Sequence, residues 1–251
     1  MSSVIDQVKK QGKEKYVHEV FDSIAPYYDL MNLIMTGGMV KLWHRAFLRQ
    51  TNLQPGDHCL DVACGTGDLS ILAASQVGPT GRVTGVDFSE EMLSFGRKKV
   101  EERGLSDRIE LVWGNAMDLQ YPEDTFDCAT IGFALRNVPD IKQVVSEMRR
   151  VIKPGARVVS LEVSKPKNPL IRWPAFLYFY NVVPLIDRFI GKAVRRAGQI
   201  RPYTWLPHSL TNFPNQDGLA GIFREAGLVD VSYKGLSGGM VSLHVGTKAG
   251  K

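Results

Sequence analysis

Over the first fifty residues the apolar positions recur at mixed three- and four-residue spacing. The stretch "VHEVFDSIAPYYDLMNLIM" shows this best, and the pattern is that of amphipathic helices. Pro26 is expected to break the run, Gly37 and Gly38 mark a second break, and "MVKLWHRAFLRQ" reads as one more helix. After the turn "LQPGD" the period changes. "HCLDVA" predicts a strand, "LSILAASQV" a helix, "GRVTGVDF" a second strand and "SEEMLSFGRKKVEERG" a second helix, with Ser89 as its N-cap and Gly104 at its end. "RIELVWG" and "FDCATIGF" read as the third and fourth strands, "IKQVVSEMRRVI" as a helix ended by "KPG", and "ARVVSLEV" as the fifth strand. Repeated β-α units of this length imply a parallel sheet covered on both faces.

Between Ser164 and Gln216 this rhythm lapses into a Pro- and aromatic-rich stretch, read as helices inserted over the sheet. "DGLAGIFREAGL" is then a helix, and "VDVSYKGL" and "MVSLHVGT" form a hairpin through Ser237, Gly238 and Gly239. The expectation is one α/β domain in four parts: a helical cap at 1–50, a core at 51–163, a helical insertion at 164–216, and a closing helix and strand pair at 217–251.

Composition changes this picture little. Of 251 residues 44% are hydrophobic and 23% charged, ordinary for a globular chain. The net charge of +5 and the pI near 9.1 permit an anionic partner without selecting one. Cys59, Cys64 and Cys128 are too few and too scattered for a disulfide framework or a metal site, and core packing in a reducing interior is expected. The polar N-terminus does not read as a signal peptide, and no apolar run reaches the ~18 residues of a membrane span.

Chemistry enters at "LDVACGTGD". A strand ending in Gly65-Thr66-Gly67 sits where ligands bind an open α/β sheet, and Asp87, at the end of the second strand, suits a pair of ribose hydroxyls. A nicotinamide dinucleotide fits poorly. The third glycine of its fingerprint is replaced by Ser70, and Asp68 sets a carboxylate where a pyrophosphate would lie. S-adenosylmethionine carries no phosphate, and "DVACGTGD" resembles the first motif of the Rossmann-like S-adenosylmethionine-dependent methyltransferases. The fold expected is therefore that class I α/β fold, with a mostly parallel seven-stranded sheet and S-adenosyl-L-methionine as cofactor. Asp61 either orients the glycine turn or approaches the methionine amine, and Asn115 with the Ala116 backbone is placed to read the adenine edge. After the fourth strand "IGFALRNVPD" replaces the Pro-Pro-aromatic motif of base methylation, and no Pro-Cys pair occurs, so no nucleic-acid partner is expected.

Across nearly its whole length the sequence resembles the ubiquinone/menaquinone biosynthesis C-methyltransferase family. The residues that carry the match are "YDLMN", "LWHR", "ACGTGD", "FALRNV", "LEVSKP" and "FPNQD". The resemblance implies methyl transfer to a ring carbon of a polyprenylated quinol, demethylmenaquinol or its ubiquinone-pathway counterpart. It also implies that Thr66, Asp87, Asn115 and Ala116 contact the cofactor. Gly132 stands where many members have Ser, Ala134 where Gly is usual, and the Val of "LEVSKP" where Phe is common, which blurs the choice of quinone.

The implied chemistry selects further residues. A ring carbon becomes nucleophilic once a neighbouring hydroxyl ionises. With a phenolic pKa near 10, help of up to ~4 kcal/mol is needed at neutral pH. Arg136 is the candidate to stabilise that oxyanion, and Asn137 to hold the oxygen or a water that takes its proton; the alternative is an Arg136–Asp140 pair or a helix-end contact. Tyr28 is placed to close over the sulfonium by cation–π contact, and Tyr203 and His208 to lie near the acceptor. "WPAFLYFYNVVPLI" is too broken to span a bilayer. It is read as a groove for the prenyl tail or a transient membrane-surface contact; the alternative is burial against the sheet or in a homodimer. A cytoplasmic enzyme, peripheral at the inner face of the membrane, is expected, with no metal. The rival readings are a methyltransferase of another hydrophobic small molecule and a non-catalytic S-adenosylmethionine-binding regulator.

Overall fold

The computed structural model describes residues 12–183, 185–186 and 205–250. Among the described residues, the helices α1 (Lys13–Ile24), α2 (Tyr28–Met35) and α3 (Val40–Thr51) precede the sheet. The expected breaks hold: Pro26 lies in a 3-10 turn, Ala25–Tyr27, between α1 and α2, and Gly37 and Gly38 lie between α2 and α3.

The strands are β1 (His58–Val62), β2 (Arg82–Asp87), β3 (Ile109–Trp113), β4 (Phe126–Gly132), β5 (Ile152–Val163), β6 (Leu228–Leu236) and β7 (Val241–Lys248). They form one sheet in the order β3-β2-β1-β4-β5-β7-β6. β1 runs parallel to β2 and β4, and β7 alone runs antiparallel, between β5 and β6. The intervening helices are α4 (Asp68–Val77), α5 (Glu90–Glu102) and α6 (Ile141–Val151). In α6 the buried side chains are Val144, Val145, Met148 and Val151, one stripe at helical spacing that packs on the sheet. Ser89 caps α5 by accepting from Met92 N at 3.1 Å, and Asp140 caps α6 by accepting from Gln143 N at 3.0 Å.

One boundary differs from expectation. "KPG" does not form a turn after α6, because β5 begins directly at Ile152. Ile152 pairs with Phe126, Arg157 pairs with Cys128, and Pro154 falls in the irregularity between, where the ladder asks for no N–H.

Among the described residues the insertion holds α7 (Pro169–Leu177), a π turn (Tyr178–Val182) and α8 (Trp205–Thr211). α9 (Gln216–Glu225) follows and leads into β6. Strand order reverses between β1 and β4, so the turns after β1, β2 and β4 converge at one carboxyl edge.

Candidate active site

The turn after β1 is built by backbone geometry. Gly65 and Gly67 hold φ values of 54° and 78°, which side chains with a Cβ adopt at a cost. A Cβ on Gly67 would come within 3.3 Å of Leu111 Cδ1, whereas one on Gly65 would meet nothing within 4 Å. Gly67 thus packs inward and Gly65 faces open space. The Gly65 N–H donates to Asp87 Oδ2 at 2.8 Å and the Ser89 N–H to Oδ1 at 2.9 Å. Burial raises the Asp87 carboxyl to a pKa of about 6, with these backbone donors opposing the rise. The side chain staples the β1 turn to the end of β2 and still faces the cleft.

That cleft is a cavity of about 520 Å³. Its lining includes Gly65, Asp87, Phe88, Trp113, Asn115 and Ala116 from the sheet edge. α1 roofs it with Lys15, Val17, His18 and Phe21. Asn115 accepts from Met117 N at 2.9 Å, which shapes the loop after β3. The lining fits a nucleoside with an amino-acid end: a carboxylate for ribose hydroxyls, aromatic and apolar walls for a base, and an open glycine turn. It contains no arginine among the described residues, and Asp68 at the head of α4 is paired with Lys99 at 2.8 Å, which speaks against a pyrophosphate.

Thr66, expected at the cofactor, and Asp61, expected either to orient the glycine turn or to approach the methionine amine, do not line this cleft and lie against the turn. Asp61 is fully buried beneath it and accepts from Ser70 Oγ at 2.6 Å and Thr130 Oγ1 at 2.9 Å. Burial lifts its pKa to about 6. Thr66 donates to Asp29 Oδ1 at 2.6 Å and accepts from Lys99 Nζ at 3.1 Å, which ties α2 to the turn. A Cβ on Gly132 would meet the Leu69 side chain, which would have to shift.

A second cavity, about 480 Å³, lies on the other side of a wall made by Phe21, Tyr28 and Phe133, which line both. Phe133 holds a φ of 56°, and its N–H donates to Leu161 O at 2.7 Å. Arg136, Trp43, Ile34, Met39, Tyr178 and Phe179 line this second space, which is otherwise largely apolar. Tyr28 sits at the junction, its phenol pushed up by burial and pulled back by an Asn32 hydrogen bond and the Arg136 charge.

Arg136 does not pair with Asp140, which caps α6 instead. Its Nη1 donates to Phe133 O and to the carboxylate of Glu162, a side chain of β5 with no solvent exposure. Asn137 lines the first cavity, and its Oδ1 accepts from Trp205 Nε1 at 2.9 Å. His208 packs its ring 5.2 Å from Trp205 and lines neither cavity. Tyr203 lies outside the described residues.

Sequence reasoning missed Glu162, the α1 roof, and Phe88 and Trp113. Glu162 had a signal: it is an acid set in the mostly apolar run "VVSLEV", beside the strand that leads to Arg136.

Fold and cleft define a class, that of the S-adenosylmethionine-dependent methyltransferases. The chain superposes on a SAM-dependent methyltransferase from Aquifex aeolicus with a TM-score of 0.60 at 18% identity, covering 82% of this chain and 89% of that one. A possible histamine N-methyltransferase from Thermotoga maritima gives 0.61 at 17%, covering 92% and 99%. These likenesses are of fold. Sequence narrows the class: residues 9–248 match the ubiE/COQ5 methyltransferase family, and the chain belongs to it. The demethylmenaquinone methyltransferase of Symbiobacterium thermophilum is 52% identical over 95% of this chain and 94% of its own length. That of Bacillus subtilis is 44% identical over 95% and 100%.

Proposed function

We propose that the protein methylates a ring carbon of demethylmenaquinol, a polyprenylated naphthoquinol, to give menaquinol. The observation that carries this reading is the pair of cavities: a nucleoside-shaped cleft and a largely apolar chamber, sharing the wall Phe21, Tyr28 and Phe133. S-adenosylmethionine, when bound, supplies an electrophilic methyl group. Asp87 would accept its ribose hydroxyls, Asn115 and Ala116 would meet the adenine, and Gly65 and Gly67 would let the backbone approach the amino-acid end. Thr66 and Asp61 hold the turn from behind. Tyr28 stands where the two ligands meet.

Arg136 acts on the acceptor. It is the cationic side chain among the described lining of the second cavity, and a guanidinium beside the quinol oxygen favours loss of the hydroxyl proton, which sends charge into the ring. Asn137 borders the nucleoside side of the shared wall, with its Oδ1 committed to Trp205 and its Nδ2 donating to Phe133 O at 3.4 Å, so its part is to hold the Phe133–Arg136 turn. The apolar wall from Ile34 to Phe179 suits the prenyl chain.

The prenyl substrate also implies a lipid surface. Leu170, Trp173 and Phe176 of α7 are 84%, 71% and 56% exposed, and Leu30 and Leu42 of α2 and α3 are half exposed. α2 and α3 line the cavity, and the π turn that continues α7 meets α2 there, where Tyr178 Oη donates to Met35 O. We read this face as a transient contact with the inner leaflet in preference to a homodimer interface, because it adjoins the chamber that takes the tail. No helix among the described residues is long and apolar enough to cross a membrane.

Incubation with labelled S-adenosylmethionine and a panel of reduced prenylated naphthoquinols and benzoquinols tests the reading. Labelled menaquinol is expected. A product from benzoquinols alone would reassign the ring, and no product from any quinol would refute the function.

A further inference from the structure

Glu162 does not line the chamber, but it pairs with Arg136, which does. Its residue is fully buried in the middle of the sheet, between β4 and β7, opposite Ser242. It accepts from Arg136 Nη1, from the Arg136 N–H at 3.4 Å and from the Val163 N–H at 2.9 Å. The pair is an expensive arrangement for stability alone, since buried ion pairs are often matched by apolar residues of similar volume. What the pair does is hold a guanidinium in one orientation. Both contacts run through Nη1, and Nε is buried without a partner among the described residues. With Nη1 engaged on the protein side, Arg136 still lines the chamber.

We propose that Glu162 is a positioning residue for Arg136: it fixes the guanidinium against the acceptor oxygen and moderates its charge. The inference rests on the assignment of Arg136 to that oxygen. An unpaired guanidinium would hold an oxyanion tightly, which withdraws electron density from the ring carbon that must attack. A guanidinium paired with a buried carboxylate presents directed donors on a nearly neutral pair, which favours ionisation without trapping its product. The ionisable groups that face the pair are Tyr28 from α2, Tyr178 from the π turn and His244 from β7. α3 and α8 present Trp43 and Trp205 there. His244 is held neutral by burial and anchored through Nε2 to Gln216 O, so none of the three replaces the Glu162 charge near neutral pH.

The test uses a prenylated 1-naphthol, whose ionised form has its own absorbance, bound to the full-length protein with S-adenosylhomocysteine present. E162Q is expected to lower the pKa of the bound naphthol by about one unit, to lower kcat about tenfold or more, and to leave KM for the quinol and the affinity for S-adenosylhomocysteine within about threefold. A merely structural role would not move the naphthol titration. E162D, which keeps the charge but draws it back by one methylene, is expected to move the pKa less. Should E162Q fail to fold, E162D alone decides the matter, and an unchanged pKa with unchanged kcat in it overturns the proposal. Loss of all turnover with the naphthol pKa unmoved would make Glu162 a proton acceptor and would equally overturn it. R136M separates the two readings: wild-type turnover and titration in R136M would refute the role of Arg136 itself, whereas loss in R136M with none in E162Q would refute only that of Glu162.

Discussion

Two buried carboxylates a few ångströms from one glycine turn have opposite uses. Asp87 faces the cleft, and its pKa of about 6 lies above the ordinary 3.8 because burial disfavours its charge. Ribose hydroxyls donating to it would favour the ionised form. Affinity for S-adenosylhomocysteine is therefore expected to be constant above about pH 6 and to fall up to tenfold per unit below it. Calorimetry between pH 5 and 8 checks this, and Asp87→Asn should bind weakly with no such slope. Asp61 faces no ligand space. Its folded pKa of about 6 also exceeds 3.8, so the folded state binds the extra proton. Its contribution to stability is full below about pH 4 and lost as pH rises through 6. Asp61→Asn should then stabilise the protein at pH 8, by up to about 3 kcal/mol, with the difference vanishing near pH 4 in denaturant titrations. Arg136→Ala should lower kcat about 100-fold or more with cofactor affinity retained, as for loss of an oxyanion donor; single-turnover kinetics with a calorimetric control decide it.

At the scale of elements, α7 gives the clearest prediction. Phe176 and Tyr180 stack with ring centroids 4.2 Å apart, and both are substantially exposed. Trp173→Glu with Phe176→Glu should abolish co-sedimentation with anionic vesicles and turnover of long-chain quinol in them, while short-chain quinol in solution is still methylated. Equal loss on both substrates would assign α7 to the chamber instead of the lipid. The elements also divide by how readable they were. β1, β2 and Ser89 follow from local period and capping, and Asp87 from its place at the end of a strand, so all were legible. Arg136 was legible through its motif, but its contact with Glu162 was not: the acid stands out in "VVSLEV", yet the contact joins a residue of the turn after β4 to a β5 residue 26 positions on, and no local pattern names the partner. The α1 roof was missed for a similar reason, because amphipathic spacing says that a helix buries one face and not what that face covers. "KPG" does follow the end of α6, but β5 starts earlier than the expected Ala156, because Pro and Gly signal a break in general and here they sit in a strand irregularity.

Taken whole, the molecule joins a polar task to an apolar one. The sheet edge at β1, β2 and β3 makes a cleft for a nucleoside, α2, α3 and the insertion make an apolar chamber, and the two share three aromatic side chains. The N-terminal helices serve both, since Phe21 and Tyr28 line each space while Asp29 ties α2 to the glycine turn through Thr66 and Lys99. The cap and the insertion thus supply most of the acceptor side, with Phe133, Val163 and Val241 from the strand ends closing it. The most direct measurement is a crystal structure with S-adenosylhomocysteine and a prenylated naphthoquinone bound together. The nucleoside should lie between Asp87 and Asn115, with the quinone ring beyond Tyr28 and Phe133 and an oxygen against Arg136. A nucleoside outside that cleft, or a ring on the far side of α7 with the chamber filled by protein, would contradict the account.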